Sequence, residues 1–174
     1  MDIISELRAA VRNIPDFPKP GIQFKDITPV LAHGELFRHC ISLLCETISH
    51  QHVDKIVGID ARGFIFAAAV ADRLGLGFVP VRKAGKLPWK TRHLAYSLEY
   101  GENAIELHED AVSAGEKIVL VDDLLATGGT AAAAVELIES LGAQVVSAAF
   151  FIELEDLQGR TKMPQVPIHR ILTY

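Results

Sequence analysis

The chain has 174 residues, which suits one compact domain, and its 49% apolar and 22% charged residues are an ordinary globular mix. A net charge of −5 argues against a nucleic-acid binder that works by bulk charge. The longest apolar run, Phe64 to Ala71, is far short of the ~20 residues a membrane span needs, so no membrane association is expected.

The N-terminus carries Asp2 and Glu6, with no basic n-region and no long apolar stretch, and does not read as a signal peptide. Asp2 to Ile14 reads as an amphipathic helix, with Ile3, Ile4, Leu7, Ala10, Val11 and Ile14 on one face. Pro15, Pro18, Pro20 and Gly21 end it and impose an extended connector. Ile22 to Thr28 reads as a short strand and Glu35 to Ser49 as a second helix. Cys40 and Cys45 fall in that helix, without CxxC spacing, and read as buried thiols of a reducing compartment. The expected location is therefore the cytoplasm. His50 and His52 are a close pair, but nothing nearby completes a metal shell.

Lys55 to Ile59 reads as a short buried strand leading into Asp60-Ala61-Arg62-Gly63. Phe64 to Leu74 is an alanine-rich helix ending at Gly75, and Gly77 to Arg82 a strand. Ala84 to Arg92 has Gly85 and Pro88 and no periodicity, so it is predicted to be a loop. Leu94 to Tyr100 and Asn103 to His108 alternate like two strands. Ile118 to Asp122 is a strand, Thr130 to Leu141 a helix, Val145 to Ile152 a strand, and Ile168 to Tyr174 a last strand. Strands alternate with helices, and "IVLVD" and "VVSAAFFI" are continuous apolar runs. Both features predict an α/β domain with an open, mostly parallel sheet flanked by helices. No composition shift marks a second domain, so residues 1–174 read as one.

Charge is unevenly placed. From Arg73 to Leu98 there is no Asp or Glu, while Arg73, Arg82, Lys83, Lys86, Lys90 and Arg92 all fall there. A basic segment in an acidic chain suggests a local anion site. The segment "VLVDDLLATGGT" suggests where the anion lies. In an open parallel sheet, ligands bind beyond the carboxyl ends of strands. Ala126-Thr127-Gly128-Gly129-Thr130 occupies such an end. Its glycines let backbone approach a ligand, its N–H groups can converge on an anion, and the next helix adds its positive end. Thr127 and Thr130 add hydroxyls. There is no GxxxxGK[ST] loop, and Gly75-Leu76-Gly77 precedes a strand, so neither nucleotide fingerprint applies. Asp122 and Asp123, just before the cradle, can accept hydrogen bonds from sugar hydroxyls. A sugar 5-phosphate fits both features.

"VLVDDLLATGGT" resembles the phosphoribosyl-pyrophosphate motif of the type I phosphoribosyltransferases. "FPKPGIQFKDITPVL", "GIDARGFIF", "VRKAGKLP" and "AYSLEYG" are similar to the adenine branch of that family, in the same order. The resemblance implies transfer of a phosphoribosyl group from phosphoribosyl pyrophosphate to adenine, giving AMP and pyrophosphate. It also implies Mg²⁺, bound mainly through phosphoribosyl pyrophosphate, and a homodimer. It implies a hood at about residues 15–30 and a flexible basic loop.

Residue by residue, Asp122 and Asp123 look like the ribose-hydroxyl acids, and Ala126 to Thr130 like the 5-phosphate cradle. Arg62, Lys83 and Lys86 look like pyrophosphate contacts, and Glu99 like the proton-transfer residue. A non-proline cis peptide is expected at Asp60-Ala61. Gln23, Phe24 and Lys25 look like the adenine reader. Along a strand the Gln23 C=O and the Lys25 N–H point to one side, an acceptor and a donor that match adenine's N6 donor and N1 acceptor. Guanine has the opposite polarity there. Phe24 is open between core packing and stacking on the base. Trp89, after Pro88, departs from the glycine common in the family. A transferase for another purine base, such as xanthine or guanine, and a non-catalytic phosphoribosyl-pyrophosphate sensor are the alternative readings.

Overall fold

The computed structural model describes residues 2–98 and 101–174. It divides into two compact units, residues 1–43 and 44–174. In the first, helix α1 (Ile3–Ala10) is capped by Asp2, whose carboxylate accepts from the Ser5 amide at 3.1 Å. Strands β1 (Arg12–Pro15) and β2 (Gln23–Asp26) pair antiparallel, with Ile14 opposite Phe24. The helix expected through Ile14 therefore stops four residues early. Pro15 disfavours helical geometry at the residue before it, and Val11 is already extended. After β2 comes a short helix, α2 (Thr28–Ala32), started by a proline in its first turn. The residue numbers that divide the units fall within α3 (Gly34–Ile48).

The second unit is built on a seven-stranded sheet. Its strands are β3 (Lys55–Ile59), β4 (Gly77–Lys83), β5 (Thr91–Leu98), β6 (Gly101–His108), β7 (Lys117–Leu125), β8 (Gln144–Glu153) and β9 (Ile168–Thr173). Their order in space is β5-β6-β4-β3-β7-β8-β9. From β4 to β9 across the centre all pairs are parallel, and β6 pairs antiparallel with both β4 and β5, so it alone runs the other way. Helix α4 (Arg62–Leu74) joins β3 to β4, and α5 (Gly129–Glu139) joins β7 to β8. The two crossovers run in opposite directions along the sheet, so right-handed connection puts the helices on opposite faces. This is why the central strands read as unbroken apolar runs: Ile118 to Val121 and Ala148 to Ile152 are buried throughout.

Among the strands, the largest shifts are at two boundaries, each of three residues. The strand expected to stop at Asp122 continues to Leu125, because β8 pairs with it that far. The predicted loop ends at Lys90, because Thr91 and Arg92 already pair with β6. Cys40 and Cys45 are buried, and burial pushes both thiols up, as expected for inert core cysteines. Among the described residues, no helix is long and apolar enough to cross a membrane.

Candidate active site

Strand order reverses at β3. The chain moves from β3 to β4 on one side, and later enters β7 on the other. The crevice beyond the carboxyl ends of β3 and β7 is thus the topological switch point where open α/β sheets bind ligands. The two strands part unevenly. Pairing between β3 and β7 stops at Gly58 and Val121, while β7 stays paired with β8 through Leu125 opposite Glu153. The overhanging end of β7 carries Asp122 and Asp123, and it forms one wall of a cavity of about 370 Å³. Asp60, Ala61 and Arg62 from the end of β3 form another, and Ala126 to Ala131 close it. The Asp60-Ala61 peptide is cis, as the resemblance implied.

The structure thus brings Arg62, Asp122, Asp123 and the Ala126–Thr130 turn together. Asp123 is buried, and the Arg62 guanidinium Nε lies 2.8 Å from its Oδ2. That contact is an ion pair without hydrogen-bond geometry, so the buried Oδ2 retains its acceptor capacity. Asp122 lies against the first turn of α4, so close that a side chain at Gly63 would strike its carboxylate. Burial pushes the Asp122 carboxyl well above its ordinary range, and the Asp123 charge pushes it further. Asp123 is raised by burial too, against the opposing pull of Arg62. Two adjacent, poorly solvated carboxyls favour a ligand that donates hydrogen bonds to them, as a sugar diol does. Asp60 is engaged by Arg82 at 3.2 Å.

The turn after β7 becomes a cradle because α5 starts in it. Gly128 caps the helix with φ of 77°, in the left-handed region. By helix geometry the amides of Gly129, Thr130 and Ala131 have no intrahelical acceptor, and all three residues line the cavity. The Thr130 hydroxyl is 3.0 Å from the Tyr96 hydroxyl of β5. A second close approach, not expected from the sequence, also requires a glycine at 128. A Cβ there would run into the backbone of Gly159, which lies in a pair of short 3₁₀ turns (Glu155–Leu157 and Gly159–Lys162) after β8.

The basic loop is held by a residue that sequence reasoning missed. Glu106, on β6 and only 5% exposed, accepts the Lys86 amide at 2.8 Å and the Leu87 amide at 2.9 Å. Burial raises the Glu106 carboxyl, but loop amides and the Thr91 hydroxyl outweigh it and hold it below its ordinary value. This tether is present at neutral pH and is lost only as pH falls through that depressed value. In an NMR titration the Lys86 and Leu87 amide signals should therefore move with a midpoint below the ordinary glutamate value of about 4.3. A midpoint above it would show that the carboxylate does not hold the loop. Nothing in the local pattern around Glu106 marks this role, since its partners lie about twenty residues away.

Lys83 and Lys86 are exposed and do not line the cavity; Trp89 is 64% exposed. Glu99 lies outside the described residues, directly after β5 in sequence. Gln23, Phe24 and Lys25 belong to the first unit, on β2. There the Ile22 carbonyl accepts from the Phe17 amide, facing β1. Strand alternation then turns the Gln23 C=O and Lys25 N–H toward the other edge. The Phe24 ring meets Phe17 edge-on, with centroids 5.2 Å apart, and the Lys25 ammonium donates to Asn13 at 3.1 Å.

The sequence matches the family model of the phosphoribosyl transferase domain over residues 26–171. An adenine phosphoribosyltransferase from Agrobacterium fabrum is 54% identical over 166 residues, covering 95% of this chain and 92% of that protein. The crystal structure of adenine phosphoribosyltransferase from Thermoanaerobacter pseudethanolicus superposes with a TM-score of 0.96 at 48% identity, covering 98% of this chain and 99% of that one. The Saccharomyces cerevisiae adenine phosphoribosyltransferase, solved with D-2,5-dideoxy-2,5-imino-altritol 1,6-bisphosphate and adenine, superposes at 0.92 with 41% identity, covering 98% of each chain.

Proposed function

This chain belongs to the phosphoribosyl transferase family, and from that premise we infer a purine salvage enzyme that transfers the phosphoribosyl group of phosphoribosyl pyrophosphate to adenine, giving AMP and pyrophosphate. The observation that carries the reading is the meeting of two carboxylates, a guanidinium and a helix-capping glycine turn in one cavity at the sheet's switch point. As the bond from the anomeric carbon to pyrophosphate breaks, positive charge builds on the ribose. The enzyme must hold the sugar, neutralise the leaving group and help adenine lose a proton.

Each task has a candidate. Asp122 and Asp123 accept from the ribose hydroxyls, and their position beside the developing cation stabilises it. The Ala126–Thr130 turn holds the 5-phosphate. Arg62 takes the pyrophosphate, exchanging part of its ion pair with Asp123 for phosphate oxygens. Lys83 and Lys86 reach the same group when the basic loop closes. Glu99 accepts the adenine proton. The Gln23 carbonyl and Lys25 amide, which share a strand edge, read the adenine edge, and Phe24 offers a ring to the base. Mg²⁺ supplies charge neutralisation on the pyrophosphate. Its expected attachment is mainly through the substrate, and Asp60 is paired with Arg82 at 3.2 Å. The buried thiols support a cytoplasmic setting, and the family resemblance supports a single functional domain and a homodimer.

The test is a product assay. The protein is mixed with phosphoribosyl pyrophosphate, Mg²⁺ and each purine base in turn. AMP from adenine, with little or no nucleotide from guanine, hypoxanthine or xanthine, is the expected result. Nucleotide from an oxopurine at a comparable rate would overturn the adenine assignment, and no nucleotide at all would overturn catalysis.

A further inference from the structure

The backbone of the cradle is pressed against that of a segment that does not line the cavity. A Cβ at Gly128 would strike the Gly159 carbonyl, and a Cβ at Gly159 would strike the Ala126 carbonyl and lie 2.9 Å from the Gly128 nitrogen. The two stretches therefore cannot move independently. Gly159 is followed by Arg160, whose guanidinium forks onto the Glu153 carboxylate: Nε donates to Oε1 at 2.7 Å, and Nη2 donates to Oε2. Glu153 is only 1% exposed and is the last residue of β8. It sits opposite Leu125, the last residue of β7, and the next amide, Leu154, donates to the Leu125 carbonyl at 2.9 Å.

These contacts close a ring. It runs from Leu125 through Ala126 to Gly128, across to Gly159 and Arg160, through the ion pair to Glu153, and back to Leu125 across the sheet. Only the ion pair in this ring is made by side chains. A bidentate arginine–carboxylate pair fixes direction as well as distance, which a lysine or a single hydrogen bond does not.

We propose that Glu153 and Arg160 are positioning residues that set the phosphate cradle from behind, through Gly159, and so govern affinity for the 5-phosphate of the sugar substrate. This rests on the assignment of Ala126–Thr130 as that cradle. Neither residue lines the cavity. Removing the arginine fork does not leave Glu153 without a counter-charge, because the Arg170 guanidinium lies 3.3 Å from its Oε2. The fold therefore survives a change that loosens the cradle.

The test is steady-state kinetics of Arg160→Met and Arg160→Lys, with melting temperatures measured alongside. For Arg160→Met, KM for phosphoribosyl pyrophosphate should rise about tenfold or more, while KM for adenine and kcat stay within about threefold. Arg160→Lys keeps the charge but not the fork and should fall between that variant and the parent. If Arg160→Met does not fold, Arg160→Lys carries the same comparison. An unchanged KM for phosphoribosyl pyrophosphate overturns the proposal. So does a parallel change in both KM values and kcat that tracks lost thermal stability. Thr127→Val separates this from failure of the cradle assignment. If it raises KM for phosphoribosyl pyrophosphate and the Arg160 variants do not, only the positioning role fails. If it too leaves that KM untouched, the cradle assignment fails first.

Discussion

Replacing Glu99 with glutamine is expected to lower kcat by about two orders of magnitude or more, with both KM values nearly unchanged. The variant keeps the shape and hydrogen-bonding reach of the side chain and removes its charge. Adenine's ring nitrogen attacks the anomeric carbon while the base must shed a proton, and a positioned carboxylate either takes that proton or stabilises the charge that forms. Such a group typically contributes ~10²–10⁴-fold. The assignment comes from the "AYSLEYG" match and from the place of Glu99 after β5, the strand that leaves the basic loop. Glu102→Gln, three residues on, is the control and should change little. Single-turnover rates equal to the parent in Glu99→Gln, under conditions where chemistry limits the rate, would remove Glu99 from the mechanism.

The second large effect is expected at Gly128. Valine there should abolish binding of phosphoribosyl pyrophosphate in a calorimetric titration and lower the melting temperature. Two physical causes act together. A φ of 77° is closed to a branched L-residue, and the left-handed conformation alone costs roughly 1–2 kcal/mol. The new Cβ also meets the Gly159 backbone, which has no flexible end to give way. For a chain of this length the conformational cost alone, roughly 2 kcal/mol, corresponds to a fall of about 4–8 °C, and the clash adds to it, so the titration is run at a temperature where circular dichroism shows the variant folded. The affinity loss then follows from displaced amides at the start of α5 rather than from unfolding. Parent-like affinity in a folded Gly128→Val protein would show that the phosphate binds elsewhere.

Much of this was legible in the chain. Strands and helices of the second unit follow from apolar runs alternating with helical periodicity, because a parallel sheet covered on both faces leaves that pattern. The cradle was legible because small residues, two hydroxyls and two acids were adjacent in sequence. Helix α1 was overextended, although Pro15 carried the signal that Ile14 could not be helical. What stayed hidden was long-range. Glu106 reaches back to Lys86 and Leu87, and Arg160 forks onto Glu153 at the end of another element. In both cases the side chain is an ordinary polar residue in its own neighbourhood, and its meaning depends on what the fold brings near. The glycine at 128 has a further reason beyond those visible in the sequence: its backbone packs against that of Gly159, which no local spacing reveals.

The mismatch in length between β3 and β7 acts as a ruler. Past Val121, β7 has no further pairing with β3, yet it stays woven to β8 as far as Leu125, so the gap spans four residues. At ~3.3 Å per residue that is a notch of roughly 13 Å, comparable in length to the sugar phosphate proposed to bind there. Its dimensions are written in strand registers rather than in loop conformations. Whatever the surrounding loops do, the notch keeps its length, and a two-residue change in where β3 stops pairing would halve or lengthen it before any lining side chain was altered.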